Sequence, residues 1–385
     1  MVDKTNLFFY LWRSKPIRSV IFDFINNDVC KQLVLSLQSF LDNYQRFKQL
    51  YDDHIVFTRI TLVIRIEKDD FFEQEDAIRF IKLPCVNMID TLKLILEDTG
   101  ETKGIVIPDA FIRQGIKSVV IRGKVGNQGI TRQLIPSSVT KIFIQNAILS
   151  LNIQIDSFHN GVKVLCLGDC GQSIPIGALP SSLKSLSIRK IGQLDKGVLP
   201  QSLTDFNMAI VAVMSPESIP LSVTKLESLV TKLDNHHLPP NLTSLRVRSP
   251  LQLIPPSVTT LEYKISSPPP SFSTSNLVSI MIEYDYRSSR IPFNIHPGTF
   301  PETLESLHLR SYVGEIHPNS LPTSLTDLYL YYATNFSVAV LSLPDTITKL
   351  FIRQSPMSRN AELNVLLPLS LTDLQLIDSP QLVQR

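Results

Sequence analysis

The residues that could do chemistry are few and poorly gathered. His236 and His237 are adjacent, so on an extended chain they point to opposite sides and cannot readily share one metal ion. Cys166 and Cys170 are four apart, but a zinc site needs four ligands and no second Cys/His pair lies at that spacing. Small apolar side chains on or beside a strand are the better reading of the two thiols. Gly123, Gly126 and Gly129 do not have the spacing of a dinucleotide fingerprint and read as a turn. Asp195, Asp205, Asp327 and Asp373 stand in separate phrases of the chain, not as a facing acid/base pair. Phosphate-loop, nucleophile-elbow and His-Glu-x-x-His motifs are absent from the sequence. The expectation is a protein that is not an enzyme and needs no metal or cofactor.

Side chains suited to binding are better placed. His308, Arg310, Tyr329, Tyr331, Phe351 and Arg353 sit at equivalent points of three successive phrases. Tyr and Arg are the types most enriched where protein surfaces grip one another. The element that must position them is a repeat. Leu-Pro-x-Ser-Leu-x-x-Leu-x-Leu occurs as Leu179-Pro-Ser-Ser-Leu-Lys-Ser-Leu-Ser-Ile188, as Leu321-Pro-Thr-Ser-Leu-Thr-Asp-Leu-Tyr-Leu330 and as Leu367-Pro-Leu-Ser-Leu-Thr-Asp-Leu-Gln-Leu376. Twelve copies can be anchored, at Pro136, His159, Pro180, Pro200, Pro220, Pro239, Pro255, Thr274, Pro301, Pro322, Pro344 and Pro368, spaced 16 to 27 residues apart. Weaker copies lie around Ile116–Ile121 and Ile89–Leu94, with a faint one near Ile60.

The last two apolar positions of the phrase alternate, which places them on one face of a short strand. One phrase cannot close a core, but stacked phrases bury a continuous apolar column and pair their strands in parallel. The expected fold is mainly β: a leucine-rich-repeat-like solenoid of parallel coils of about 20–22 residues. Its convex segments should be short 3₁₀ or extended stretches, because the return path is too short for a long helix. The proline precedes the strand, so its missing N–H costs no ladder bond.

Just before the first leucine stands a second column: Ser138, Ser182, Ser202, Ser222, Asn241, Ser257, Asn276, Thr303, Ser324, Thr346 and Ser370, broken only by Gly161. Short hydroxyl and amide side chains there can pair turn backbone that would otherwise be buried unsatisfied. A threonine column follows one position after that leucine in eight of the twelve copies, as in Thr204 and Thr372.

Residues 1–52 read differently. Ile17, Val20, Ile21 and Phe24 form a helical stripe, and Val29, Leu33, Leu37, Phe40 and Tyr44 continue at helical spacing. This predicts a small N-terminal helical module, either a cap on the array or, given Phe8, Phe9 and Trp12, a docking unit. The solenoid is set at 53–385, with clear repeats over 130–385, and it opens with strand-like 54–66 and a helix over 69–82 that ends before Pro84.

The chain has 385 residues, 43% of them hydrophobic and 19% charged, which excludes wholesale disorder. A net charge of +2, from 37 basic and 35 acidic residues, makes nucleic acid an unexpected partner. Neither a signal-peptide pattern nor an apolar run long enough for a membrane span occurs. The expectation is a cytoplasmic protein with protein partners.

The repeated phrase resembles the FNIP repeat, a leucine-rich-repeat relative abundant in social amoebae and found in some giant viruses. The likeness covers roughly 110–380. It extends upstream of the phrase in Ile191-Gly-Gln-Leu-Asp-Lys-Gly-Val-Leu-Pro200 and in Phe293-Asn294, the pair that gives the repeat its name. The resemblance implies a non-enzymatic scaffold that binds a protein on the concave strand face. Some relatives join such repeats to an F-box, which implies the alternative of a ubiquitin-ligase substrate adaptor with N-terminal helices recruiting the ligase. The Leu-Pro opening of that motif is absent here.

Overall fold

A computed structural model describes residues 33–52, 60–67, 69–84, 86–97, 104–109, 111–125, 130–145, 153–155, 157–171, 173–229, 237–248, 253–265, 272–273, 275–284, 294–312, 314–333, 341–354 and 365–377. The stripe Ile17–Phe24, the aromatics Phe8, Phe9 and Trp12, Phe293 and the sequence-anchored Thr274 lie outside the described residues, as does His236. Two compact units divide the chain, residues 1–171 with 177–183, and residues 172–176 with 184–385.

In the first unit, strands β1 (Leu33–Ser36), β2 (Ile60–Ile66), β3 (Ile89–Leu96), β4 (Ser118–Arg122), β5 (Lys141–Gln145) and β6 (Val164–Asp169) pair in parallel and in chain order. Their register stacks Leu35, Leu62, Leu92, Val119, Ile142 and Leu165 into one buried column. Parallel strands cannot be joined by a tight hairpin, so each crossover must return beneath the sheet.

Two crossovers carry helices: α1 (Leu37–Asp42) with α2 (Tyr44–Asp52), and a 3₁₀ turn (Asp69–Glu73) with α3 (Glu75–Lys82). Ser36 caps α1 by accepting the Ser39 N–H at 3.2 Å. In α3, Glu75 and Asp76 open the helix while Arg79 and Lys82 close it, each matching the macrodipole. The orphan carbonyls at its end are taken up by Arg113, whose guanidinium donates to Phe80, Ile81 and Leu83. Phe80 packs on Phe111 at 5.5 Å between ring centroids.

The helical reading of Leu33 is corrected. Leu33 and Leu37 are four apart, as a helix face requires, yet Leu33 pairs with Ile60 and the segment Leu33–Ser36 alternates buried and exposed. Its backbone groups are satisfied by β2, and the period of two prevails over the period of 3.6. Only from Leu37 does a helix run.

The second unit contains β7 (Ser185–Leu194), β8 (Asp205–Met214), β9 (Lys225–Ser228), β10 (Ser244–Val247), β11 (Thr260–Ile265), β12 (Ser279–Tyr284), β13 (Ser306–Arg310), β14 (Asp327–Ala333), β16 (Lys349–Gln354) and β18 (Asp373–Ile377), again parallel and in chain order. A separate short pair joins β15 (Leu341–Ser342) to β17 (Val365–Leu366). Leu186, Phe206, Leu226, Leu245, Leu261, Ile280, Leu307, Leu328 and Leu350 stand one above another, none more than 2% exposed. This is a leucine-rich-repeat-like β-solenoid, and its described return paths are turns and extended segments without α-helix. No helix among the described residues is long and apolar enough to cross a membrane.

The backbone at the strand entrance is bonded in the same way from coil to coil. The first leucine donates its N–H to the anchor carbonyl, as Leu203 does to Pro200 at 3.1 Å and Leu325 to Pro322 at 3.1 Å. The hydroxyl before it reaches one coil back, to the carbonyl of the preceding first leucine. Ser138 reaches Ile116 at 2.8 Å, Ser182 reaches Val162 at 2.8 Å, Ser324 reaches Leu304 at 2.7 Å and Ser370 reaches Ile347 at 2.7 Å. Thr303 and Thr346 bond in the same way, while the longer Asn241 and Asn276 donate to Leu221 and Pro256. Ser202 also has a partner. The Ser222 and Ser257 hydroxyls are buried with no hydrogen-bond partner among the described residues. Each is followed by a coil whose column residue is asparagine. The threonine column adds a second ladder: Lys184 O accepts the Thr204 hydroxyl at 3.0 Å as well as the backbone N–H groups of Thr204 and Asp205.

These bonds set an expectation for Ser324→Ala. Its removal strands a partly buried carbonyl and should lower stability by about 1–2 kcal/mol. Ser137→Ala, at an exposed site, should stay within about 0.5 kcal/mol of the parent. Urea denaturation of the two variants makes the comparison, and equal effects would remove any structural role for the hydroxyl.

A third feature of the coils is a left-handed residue three positions before the proline: Gly177, Gly197, Glu217, Gly298 and Asn319 all have φ between 56 and 89. Four of them lie within a turn bonded from i+3 to i, Asp195–Val198, Ser215–Ser218, His296–Thr299 and His317–Ser320. That is the i+2 place of a type II turn, where Gly or Asn is favoured and Pro at i+1 is common, as Pro216, Pro297 and Pro318 show. Glu217 is the misfit, since its Cβ crowds the backbone there. Glu217→Gly is expected to raise the denaturation midpoint slightly, despite loss of its exposed contact with Lys196. A lower midpoint would show that the ion pair outweighs the strain.

Candidate interaction surface

Side chains at alternate strand positions leave the core and stand on the open face of the sheet. In the second unit this face falls into two stretches. Where Asp205, Asn207, Lys225, Glu227, Arg246 and Glu262 lie side by side on β8 to β11, it is polar and internally neutralised. Arg246 bridges Glu227 at 3.1 Å and Glu262 at 2.9 Å, Asn207 donates to Glu227 at 2.7 Å, and Lys225 lies 3.7 Å from Asp205. These residues line a shallow depression of about 420 Å³. The opposite charges on these strands are cross-strand pairs, a relation that only the register reveals.

From β13 to β16 the face turns aromatic. The register aligns His308 with Tyr329 and Phe351 in one row, and Arg310 with Tyr331 and Arg353 in the next. The six side chains singled out from the sequence thus share one patch. His308 and Tyr329 stack at 4.1 Å with planes 7° apart, and Tyr331 meets Phe351 at 4.7 Å and 37°. Tyr329 and Tyr331, neighbours along one strand, lie at 6.3 Å with planes 6° apart. The Arg310 guanidinium carbon is 5.4 Å from the Tyr331 centroid, within cation–π range. The rings are half-buried by one another and Arg310 is exposed. Burial of His308, helped by the nearby Arg310 charge and opposed by Asp327, holds its imidazole below the usual range. It is therefore a neutral, ring-stacking group at physiological pH. Met281 and Gln375 are the register partners at the two ends of the row; neither stands out by residue type.

The other residues considered for chemistry are not assembled into a site. Cys170 is buried, and its thiol is pushed up to about 12 by burial, then by Asp169 and Cys166, which makes it an unreactive sulfur. Asp195 accepts from Gln193 and Ser215 in a turn, and Asp327 pairs with Lys349. Among the described residues no three His, Cys, Asp or Glu side chains gather where they could hold a metal ion.

Comparison with known proteins follows the same lines. The FNIP repeat family model matches residues 293–332, which end within β14. A FNIP repeat-containing protein of Dictyostelium discoideum is 26% identical over 247 residues, covering 57% of this chain and 24% of that protein. The crystal structure of CroV588, described as a circular leucine-rich-repeat protein, is similar with a TM-score of 0.56 at 21% identity. That likeness covers 82% of this chain and 46% of the other. The chain thus spans about a quarter of the length of the curated relative and under half of the solved one.

Proposed function

We propose, for a chain that belongs to the FNIP repeat family and folds as a leucine-rich-repeat-like β-solenoid, the role of a non-enzymatic scaffold that holds a protein partner on the open face of its sheet. One observation carries this reading. His308, Tyr329, Tyr331 and Phe351 form a continuous ring array on three adjacent strands, with Arg310 and Arg353 beside it. Rings already packed against one another are rigid and lose little side-chain entropy on contact. Sheet stabilisation by cross-strand aromatics explains one such pair; it does not require a row that also recruits arginine.

The test is a pull-down with the full chain, comparing the parent with Tyr329→Ala combined with Arg353→Ala, both first shown to be folded by circular dichroism. The double variant should recover about tenfold less of the proteins held by the parent. Unchanged recovery from a folded variant would dismiss the patch as the contact. The adaptor alternative depends on an N-terminal docking segment, and residues 1–32 lie outside the described residues.

A further inference from the structure

The charge on the open face changes character where the rings begin. On β9 to β11 cations are matched by a carboxylate from an adjacent strand: Lys225 by Asp205, Arg246 by Glu227 and Glu262, and Lys264 by Glu283 at 3.4 Å. Arg310 breaks that pattern. It is exposed, and among the described residues it makes no ion pair. Its register partner on β12, Glu283, is held by Lys264, and on its other side stands Tyr331. Arg353 follows on the next strand, about 10 Å from Arg310 at two strand spacings.

The rings reinforce the same preference. Because His308 and Tyr329, and Tyr331 and Phe351, turn their faces to one another across the strands, they offer their edges outward. The ring edge is the positive side of the quadrupole, and the phenol O–H groups of Tyr329 and Tyr331 donate. Faces already occupied leave no platform for nucleic-acid bases to stack on. What the surface presents is guanidinium, ring-edge C–H and phenol O–H, all of which favour an anionic acceptor.

We propose that the segment bound here is an acidic stretch of protein, extended across the strands, whose carboxylates lie over Tyr331 between Arg310 and Arg353. This deepens the scaffold reading and rests on it. Charge-assisted bonds to a planar guanidinium would fix the position of such a segment, and the paired charges over β8 to β11 would not compete for it.

The experiment titrates the full chain with three fluorescein-labelled peptides of equal length, alternating Glu-Leu, Ser-Leu and Lys-Leu, and with oligothymidylate, following anisotropy at low and at physiological salt. The Glu-Leu peptide should bind about tenfold more tightly than any other probe, and less tightly as salt rises. Arg310→Gln should lower its affinity about tenfold, and Arg310→Lys, which keeps the charge but loses the planar fork, should fall between that variant and the parent. Three outcomes overturn the proposal: equal affinity for Glu-Leu and Ser-Leu, tightest binding of Lys-Leu or oligothymidylate, or an unchanged affinity in Arg310→Gln. Absence of any binding by Glu-Leu overturns it as well. Equal peptide affinities that all fall in the Tyr329→Ala, Arg353→Ala variant would remove the acidic partner and leave the scaffold standing. A scaffold failure shows separately, as recovery unchanged by that variant in the pull-down.

Discussion

Phe206→Ala is expected to destabilise the second unit by about 3–5 kcal/mol, read as a lower urea midpoint and a lower melting temperature. Phe206 is 2% exposed and sits in register between Leu186 and Leu226. Both neighbours are held by parallel ladders, so the backbone cannot collapse into the space the ring leaves. The cost therefore includes the cavity as well as the lost transfer free energy. It should also be local in origin, because a coil touches only the coils on either side. Phe206→Leu, which matches the residue at most other levels of the column, should recover most of the loss. A Phe206→Ala protein that unfolds like the parent would mean that the column is not the core.

Gly123→Ala should be nearly as damaging, at about 3 kcal/mol or more. Gly123 follows β4 with φ +113, a conformation that L side chains rarely adopt. A Cβ built there would lie 2.1 Å from the carbonyl oxygen of Leu96 on the neighbouring strand. That obstacle is backbone, and Gly123 is also tied forward by donating its N–H to Gln145 at 3.0 Å. Neither side can yield without breaking strand pairing. Gly197→Ala is the matched control, since its Cβ would meet nothing within 4 Å and only the φ of +89 opposes it. Thermal melts should separate the two clearly, and equal losses would show that conformation alone decides.

Most of the second unit was legible in the sequence, for a definable reason. A parallel solenoid repeats one local environment, so each phrase reports the same constraint and Leu186, Leu245 and Leu328 could be aligned before any coordinate was known. The six patch residues were legible by the same token, since strand alternation and phrase alignment together fix which side chains are neighbours. Three things were hidden. Leu33 satisfied helical and strand spacing equally, and only its pairing with Ile60 separates them. The ion pairs of Arg246 depend on which side chains of the two adjacent strands lean towards it, which residue type does not encode. The type II turns had a signal, Pro297-Gly298 and Pro318-Asn319, but it fell in the variable return path, where the alignment carries no information.

Ser244 pairs with Thr260 sixteen residues on, and Ser279 with Ser306 twenty-seven residues on, in the same relative alignment. Chain length between strands is thus uncoupled from how the strands meet. For heredity this means that unequal duplication, small deletions and drift in the connecting stretches are absorbed without remodelling what lies on either side. Related genes can differ widely in copy number while each surviving neighbour pair is transmitted intact. Selection on what the face grips can act on a few exposed codons, while the spine beneath them stays the same.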